Sequence, residues 1–274
     1  MTLDDIRFIF NRALKASFSY RKLLLVFTVL VMCGLLVVFF RSLAINAGEW
    51  IQLSLTFLPI FLCAGVLFST GIILVRIYHD EIKQREVVYR DILAKSWEIV
   101  IGASYFCIPI ILCYLLLWML MGVFFLFREI PVVGEAFSVI LSFAPFLINF
   151  GSIVLCVLAL GILFFATPAI ALRGLNGMQV SQDLVQRLNA DIFSNLLLAF
   201  ISLIPLAVVI GILSLSATMT GSICYTCDNP IFITLRWFFI MVPFVALLAP
   251  AVTFFFNFSA ESHVLMRKLL KRKS

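Results

Sequence analysis

Six stretches of this 274-residue chain are apolar almost without interruption: 23–40, 51–75, 99–127, 137–165, 192–215 and 231–256. A helix of about 20 such residues crosses the hydrocarbon core of a bilayer. Lipid offers the backbone no hydrogen-bond partner, so each stretch must satisfy its own peptide groups as a helix. The interiors are rich in Leu, Ile, Val and Phe and do not alternate with polar residues, which excludes the strands of an outer-membrane barrel. The expectation is an all-α polytopic membrane bundle with six transmembrane helices, a single integral domain over 1–274. The third and fourth stretches exceed the hydrocarbon thickness, so tilt or extension beyond the bilayer is expected.

Composition agrees. Hydrophobic residues make up 64% of the chain and charged residues 12%, where soluble domains carry about a quarter charged. With a mean hydropathy of +1.16, a soluble fold, a disordered chain and a nucleic-acid binder are all excluded.

The net charge of +6 is distributed unevenly. Of 20 Lys and Arg residues, all but Arg41, Arg128 and Arg236 lie before span one, between spans two and three, between spans four and five, or after span six. By the positive-inside rule both termini are cytoplasmic. Trp50, Trp97 and Trp237, with Tyr20, Tyr78 and Tyr89, fall near span ends, where aromatic belts form. The first apolar run starts at Leu23, is long for a signal peptide and lacks a small-residue cleavage site, so it reads as a retained anchor.

The cytoplasmic connections are expected to be amphipathic. In segment 1–22, Leu3, Ile6, Phe10, Ala13, Leu14 and Phe18 recur at three-to-four spacing, with Arg7, Arg12 and Lys15 elsewhere. Thr2 and Asp5 resemble a capping box. The pattern predicts a helix lying in the membrane interface, with a preference for anionic lipids at the cytoplasmic face. Segments around 90–97 and 181–190 look like shorter versions, which suggests three units of interfacial helix plus hairpin. Residues 257–274 are expected to form a basic cytoplasmic tail. The sequon Asn257-Phe258-Ser259 lies at that end and reads as chance.

Catalytic motifs are missing: the chain contains no P-loop, dinucleotide fingerprint, zinc-protease helix or nucleophile elbow. His79 and His263 are the only histidines, too few for a multi-histidine metal site, and both read as solvated. No catalytic, cofactor-binding or metal residue is therefore expected. Ionisable groups within spans mark ion pathways, and the expected span interiors hold none, with Asp191, Arg41 and Arg76 at their ends. Asn149 is the most interior strongly polar residue, a candidate interhelical contact. Pro59, Pro109, Pro145, Pro205, Pro243 and Pro250 are expected to kink spans. Gly65-x-x-x-Ser69 and Ala207-x-x-x-Gly211 would permit close helix approach. Cys224 and Cys227 form a C-x-x-C in an outer loop, a candidate disulfide.

The run from Phe164 through Pro168 to Gly174 and Gly177, continuing from Gln179 to Asp183, pairs a proline-containing span exit with a glycine turn and an amphipathic helix. With the join from Gly71 to Asp80 and the turn from Ile130 to Gly134, it resembles six-span bacterial proteins related to the membrane domain found beside glycerophosphodiester phosphodiesterases. That resemblance carries no catalytic residue across and implies work at the lipid bilayer of a bacterial inner membrane. The layout is also similar to six-span permease subunits of ABC exporters, in which segment 78–97 would dock an ATPase, with Arg90, Asp91 and Trp97 as coupling residues. Three functions follow as expectations: a lipid-binding or envelope-associated scaffold, a permease subunit with a protein partner (an ATPase or a second copy), and a thiol-redox enzyme using Cys224 and Cys227.

Overall fold

The computed structural model describes residues 3–45, 47, 49–84, 107–128, 143–173, 182, 185, 191–219 and 230–273. Among these residues the chain forms seven helices: α1 Leu3–Ser17, α2 Tyr20–Ala44, α3 Glu49–Ile82, α4 Ile108–Arg128, α5 Ala144–Arg173, α6 Ile192–Met219 and α7 Pro230–Lys273. Five contain stretches long and apolar enough to cross a membrane: Tyr20–Ala44, Ser54–Ile82, Phe146–Leu172, Ile192–Met219 and Ile233–Leu269. The shorter apolar stretch Ile108–Val123 accompanies them. The protein is a multi-pass membrane protein, all-helical among the described residues.

Prolines account for two differences from the expected spans. Cys107 and Phe143 are turns, and α4 and α5 begin at the next residue, inside the expected third and fourth stretches. Pro109 and Pro145 are the second residues of those helices, where the missing N–H costs nothing. They open helices rather than kink them. Pro59, Pro168, Pro205, Pro243 and Pro250 do lie inside helices. Pro168 was placed by sequence in a span exit, but α5 continues through it to Arg173.

The larger difference is at the C-terminus. Residues 257–273 are the last turns of one 44-residue helix and not a separate tail. This helix is the hub of the bundle, packing against α1, α2, α3, α5 and α6, while α4 packs on α3 and α5. Every residue from 251 to 263 is buried. At 100° per residue such a run covers the whole circumference, so neighbours enclose α7 here on all sides.

Close approach makes this possible. Helices in lipid gain little hydrophobic drive from association and rely on packing. A Cβ on Gly71 would lie 2.2 Å from the Phe256 ring, and one on Gly34 would lie 2.2 Å from the Met241 sulfur. These glycines set the contacts of α3 and α2 with α7. The small-residue spacings picked from sequence do not: a Cβ on Gly65 would make ordinary contact and one on Gly211 would meet nothing within 4 Å.

Helix α1 buries Ile9, Ala13 and Ser17 and sets the Phe10 ring against Phe254, centroids 5.0 Å apart. The expected stripe is therefore divided. Ile6, Phe10 and Ala13 pack on the bundle, whereas Leu3, Leu14 and Phe18 remain exposed.

Candidate functional site

The densest polar chemistry gathers where α1 and the last turns of α7 meet the ends of α2 and α3. Glu261 is its centre. The helix hub buries this carboxylate, and a buried charge must find partners. Oε1 accepts from the Tyr78 hydroxyl at 2.5 Å, and Arg12 Nε lies 2.8 Å from the same oxygen.

Lys22 sits behind Tyr78 with its side chain fully buried. Its ammonium pairs with Glu81, donates to the Ala16 carbonyl at 3.3 Å and lies 5.0 Å from the Tyr78 ring centroid. Attraction by the ring face adds to the ion pair. Five side chains thus run Glu81, Lys22, Tyr78, Glu261, Arg12, joining α3, α2, α3, α7 and α1.

One helical turn before Glu261, the buried Asn257 donates from Nδ2 to Ser17 Oγ at 3.1 Å, and Ser17 donates to the Ala13 carbonyl at 2.6 Å. Ser259 donates to the Phe164 carbonyl at 2.6 Å, and Arg76 Nε donates to the Ala171 carbonyl at 3.0 Å. The latter bond serves a carbonyl in the last turn of α5, which has no helical partner of its own. The sequon asparagine is thus enclosed, and so is His263, which was expected to be solvated.

Lys22 and Glu261 fall just outside the expected spans 23–40 and 231–256, whose interiors were expected to hold no charge, yet both are buried. Lys22 and Glu261 lie within the long apolar helices Tyr20–Ala44 and Ile233–Leu269. By sequence each sits close enough to a span end to reach water; helix packing covers them instead.

Two clefts open beside the Arg12–Glu261 pair. The larger, about 540 Å³, has Asp5, Arg12, Glu261 and Lys268 among its lining and apolar walls from Phe8, Ile9, Leu265 and Leu269. The smaller, about 320 Å³, has Arg12, Tyr78, Lys83, Glu261 and Lys268 with Val75, Leu172 and Val264. A third cavity, about 370 Å³ and almost wholly apolar, lies between α2, α3, α5 and α7 and includes Cys33, Cys63 and Cys156. The Cys63 thiol approaches the Cys33 carbonyl at 3.6 Å, as a small buried hydrophobe with a weak donor would.

The residues singled out by sequence lie elsewhere. Asn149 is half-buried in the second turn of α5 rather than midway along its helix. Arg90, Asp91 and Trp97, the disulfide candidates Cys224 and Cys227, and nearly all of 181–190 are outside the described residues. Asp191 caps α6: its carboxylate accepts from the Ser194 N–H at 3.2 Å and from the Ser194 hydroxyl at 2.7 Å. Among the described residues no three His, Cys, Asp or Glu side chains are grouped to hold a metal. Comparison with protein-family models, with curated proteins and with solved structures returns no match.

Proposed function

We propose that this chain is a bacterial inner-membrane protein of six spans with both termini cytoplasmic, acting as a lipid-binding or envelope-associated scaffold rather than an enzyme. The observation that carries this reading is the divided surface of α1. One face is locked onto α7, while Leu3, Leu14 and Phe18 stay exposed beside Arg7 and Lys15. A helix held so, apolar and basic on its free side, suits the boundary of acyl chains and headgroups. The charge asymmetry places that boundary at the cytoplasmic leaflet, whose anionic lipids attract basic groups by about 1 kcal/mol each. In this reading Cys224 and Cys227 staple an outer loop as a disulfide, and Asn149 serves helix packing. The permease alternative depends on Arg90, Asp91 and Trp97, which lie outside the described residues.

Reconstitution of the full chain in nanodiscs of mixed phosphatidylcholine and phosphatidylglycerol tests it. Native mass spectrometry of the released protein should show phosphatidylglycerol enriched over its bulk fraction. Replacing Leu3, Leu14 and Phe18 together by Ser should reduce that enrichment. Retention in bulk proportion by the unmodified chain would sink the reading.

A further inference from the structure

The geometry points to the smaller cleft as a stoichiometric site for a phosphate ester, the headgroup phosphate of an anionic lipid. As a lipid site it rests on the lipid-binding reading above; as a phosphate site it does not.

Charge is the first argument. Three cations line this cleft: Arg12 of α1, Lys83 in the turn just beyond α3, and Lys268 of α7. Its one carboxylate among the described residues is Glu261, already engaged by Arg12 and Tyr78. Among the described residues neither Lys83 nor Lys268 has an ion-pair partner. Among the described residues two positive charges are thus left without a counter-charge, which matches the charge range of phosphate diesters and monoesters. The larger cleft carries Asp5 and Glu261 against Arg12 and Lys268, so it offers no such excess.

Donor chemistry is the second. Arg12 spends Nε on Glu261, one of the five N–H donors of a guanidinium. The guanidinium fork is the group best suited to phosphate oxygens, and Lys adds mobile point charges. The contact with Glu261 also holds Arg12 in place, which lowers the ordering cost of binding.

The third argument favours an amphiphile over a free ion. The volume of about 320 Å³ falls in the range of small-ligand sites, and Val75, Leu172 and Val264 give the cleft an apolar side. The two clefts share Arg12, Glu261, Val264 and Lys268. A phosphate held by Lys83 and Lys268 therefore lies next to the apolar trough of Phe8, Ile9, Leu265 and Leu269, which a glycerol ester and the start of an acyl chain can cover.

Calorimetric titration of the full chain in neutral nanodiscs tests the site with three probes: short-chain phosphatidylglycerol, short-chain phosphatidylcholine and inorganic phosphate. Phosphatidylglycerol should bind saturably at one per chain, and phosphatidylcholine should not compete. The variant Lys83→Gln/Lys268→Gln should bind about thirtyfold more weakly, as expected on losing two basic groups at a lipid phosphate. Both side chains are exposed, so an unchanged melting temperature is expected and verifies folding. Lys83→Arg/Lys268→Arg should restore binding. Phosphate binding as tight as that of phosphatidylglycerol would uphold the phosphate site and overturn its assignment to lipid. Undiminished phosphatidylglycerol binding by the Gln variant would overturn the site while leaving the lipid-binding reading intact. No binding of either anion by the unmodified chain would overturn the site too, and lipid enrichment in the reconstitution above would then judge the broader reading separately.

Discussion

The Tyr78 hydroxyl donates to Glu261 Oε1 across 2.5 Å, joining α3 to α7 through residues 183 apart in sequence. Arg12 brings α1 to the same oxygen. A hydrogen bond to a charged group is worth about 1.5–3 kcal/mol, so Tyr78→Phe should cost that much in thermal unfolding in detergent. Arg12→Met removes the cation paired with a buried carboxylate and should cost about 3 kcal/mol, the low end for such a break because Arg12 is partly exposed. Adding Glu261→Gln to Arg12→Met should then recover stability. A double variant less stable than Arg12→Met alone would contradict the pairing of Glu261 with Arg12.

Lys22 and Glu81 invite the same logic from the opposite sign. Lys22 is fully buried, whereas Glu81 is about one-third exposed. Glu81→Gln strands the ammonium and should destabilise by about 2–3 kcal/mol, less than a fully buried pair because water still reaches the carboxylate. Lys22→Met should rescue Glu81→Gln, since a linear apolar chain fills the space under the Tyr78 ring without a charge. Additive losses in the unfolding midpoint would count against a coupled pair.

The glycines should rank by what surrounds them. At Gly71 a new Cβ meets the Phe256 ring, buried among other aromatic residues, so Gly71→Ala should cost about 1–3 kcal/mol through overpacking. At Gly34 it meets the end of the Met241 side chain, which can turn away, so Gly34→Ala should cost below about 1 kcal/mol. Gly161 and Gly211 face open space, and alanine there should be neutral or stabilise by up to about 1 kcal/mol. Melting temperatures in any other order would refute the packing described for α7.

Docking of α1 depends on Asn257 as well as Arg12. Asn257→Ala removes the donor to Ser17 and should loosen α1 by about 1 kcal/mol. Amide exchange over residues 3–17 should speed up while the core of α3 keeps its protection, because local opening is separate from global unfolding. Unchanged exchange in α1 would show that apolar packing alone holds it.

Much of the layout was legible beforehand. Five of the expected spans coincide in large part with long apolar helices, and α1 was expected from its three-to-four spacing. The missed boundaries, at Cys107 and Phe143, follow from Pro109 and Pro145, whose effect depends on whether a helix starts at the proline or is already under way. The site was not legible. Lys22 counted as one more cytoplasmic cation, Tyr78 as a belt aromatic, and Glu261 as part of a solvated tail. A visible hint was the run Asn257, Ser259, Glu261, Ser262 and His263, small and polar residues continuing directly from an apolar helix.

By itself the sequence determined that this chain forms helices in a membrane and which segments carry its basic residues. Those are local consequences: in lipid every peptide group must bond within its own segment, and charge placement is a property of short loops. Only the tertiary structure decided which charges are buried and with whom. A lysine or glutamate near a span end can reach water, or turn inward where a partner meets its charge. The outcome depends on which helix covers it, and here the covering contacts link Arg12 and Ser17 to Glu261 and Asn257 from the opposite end of the chain.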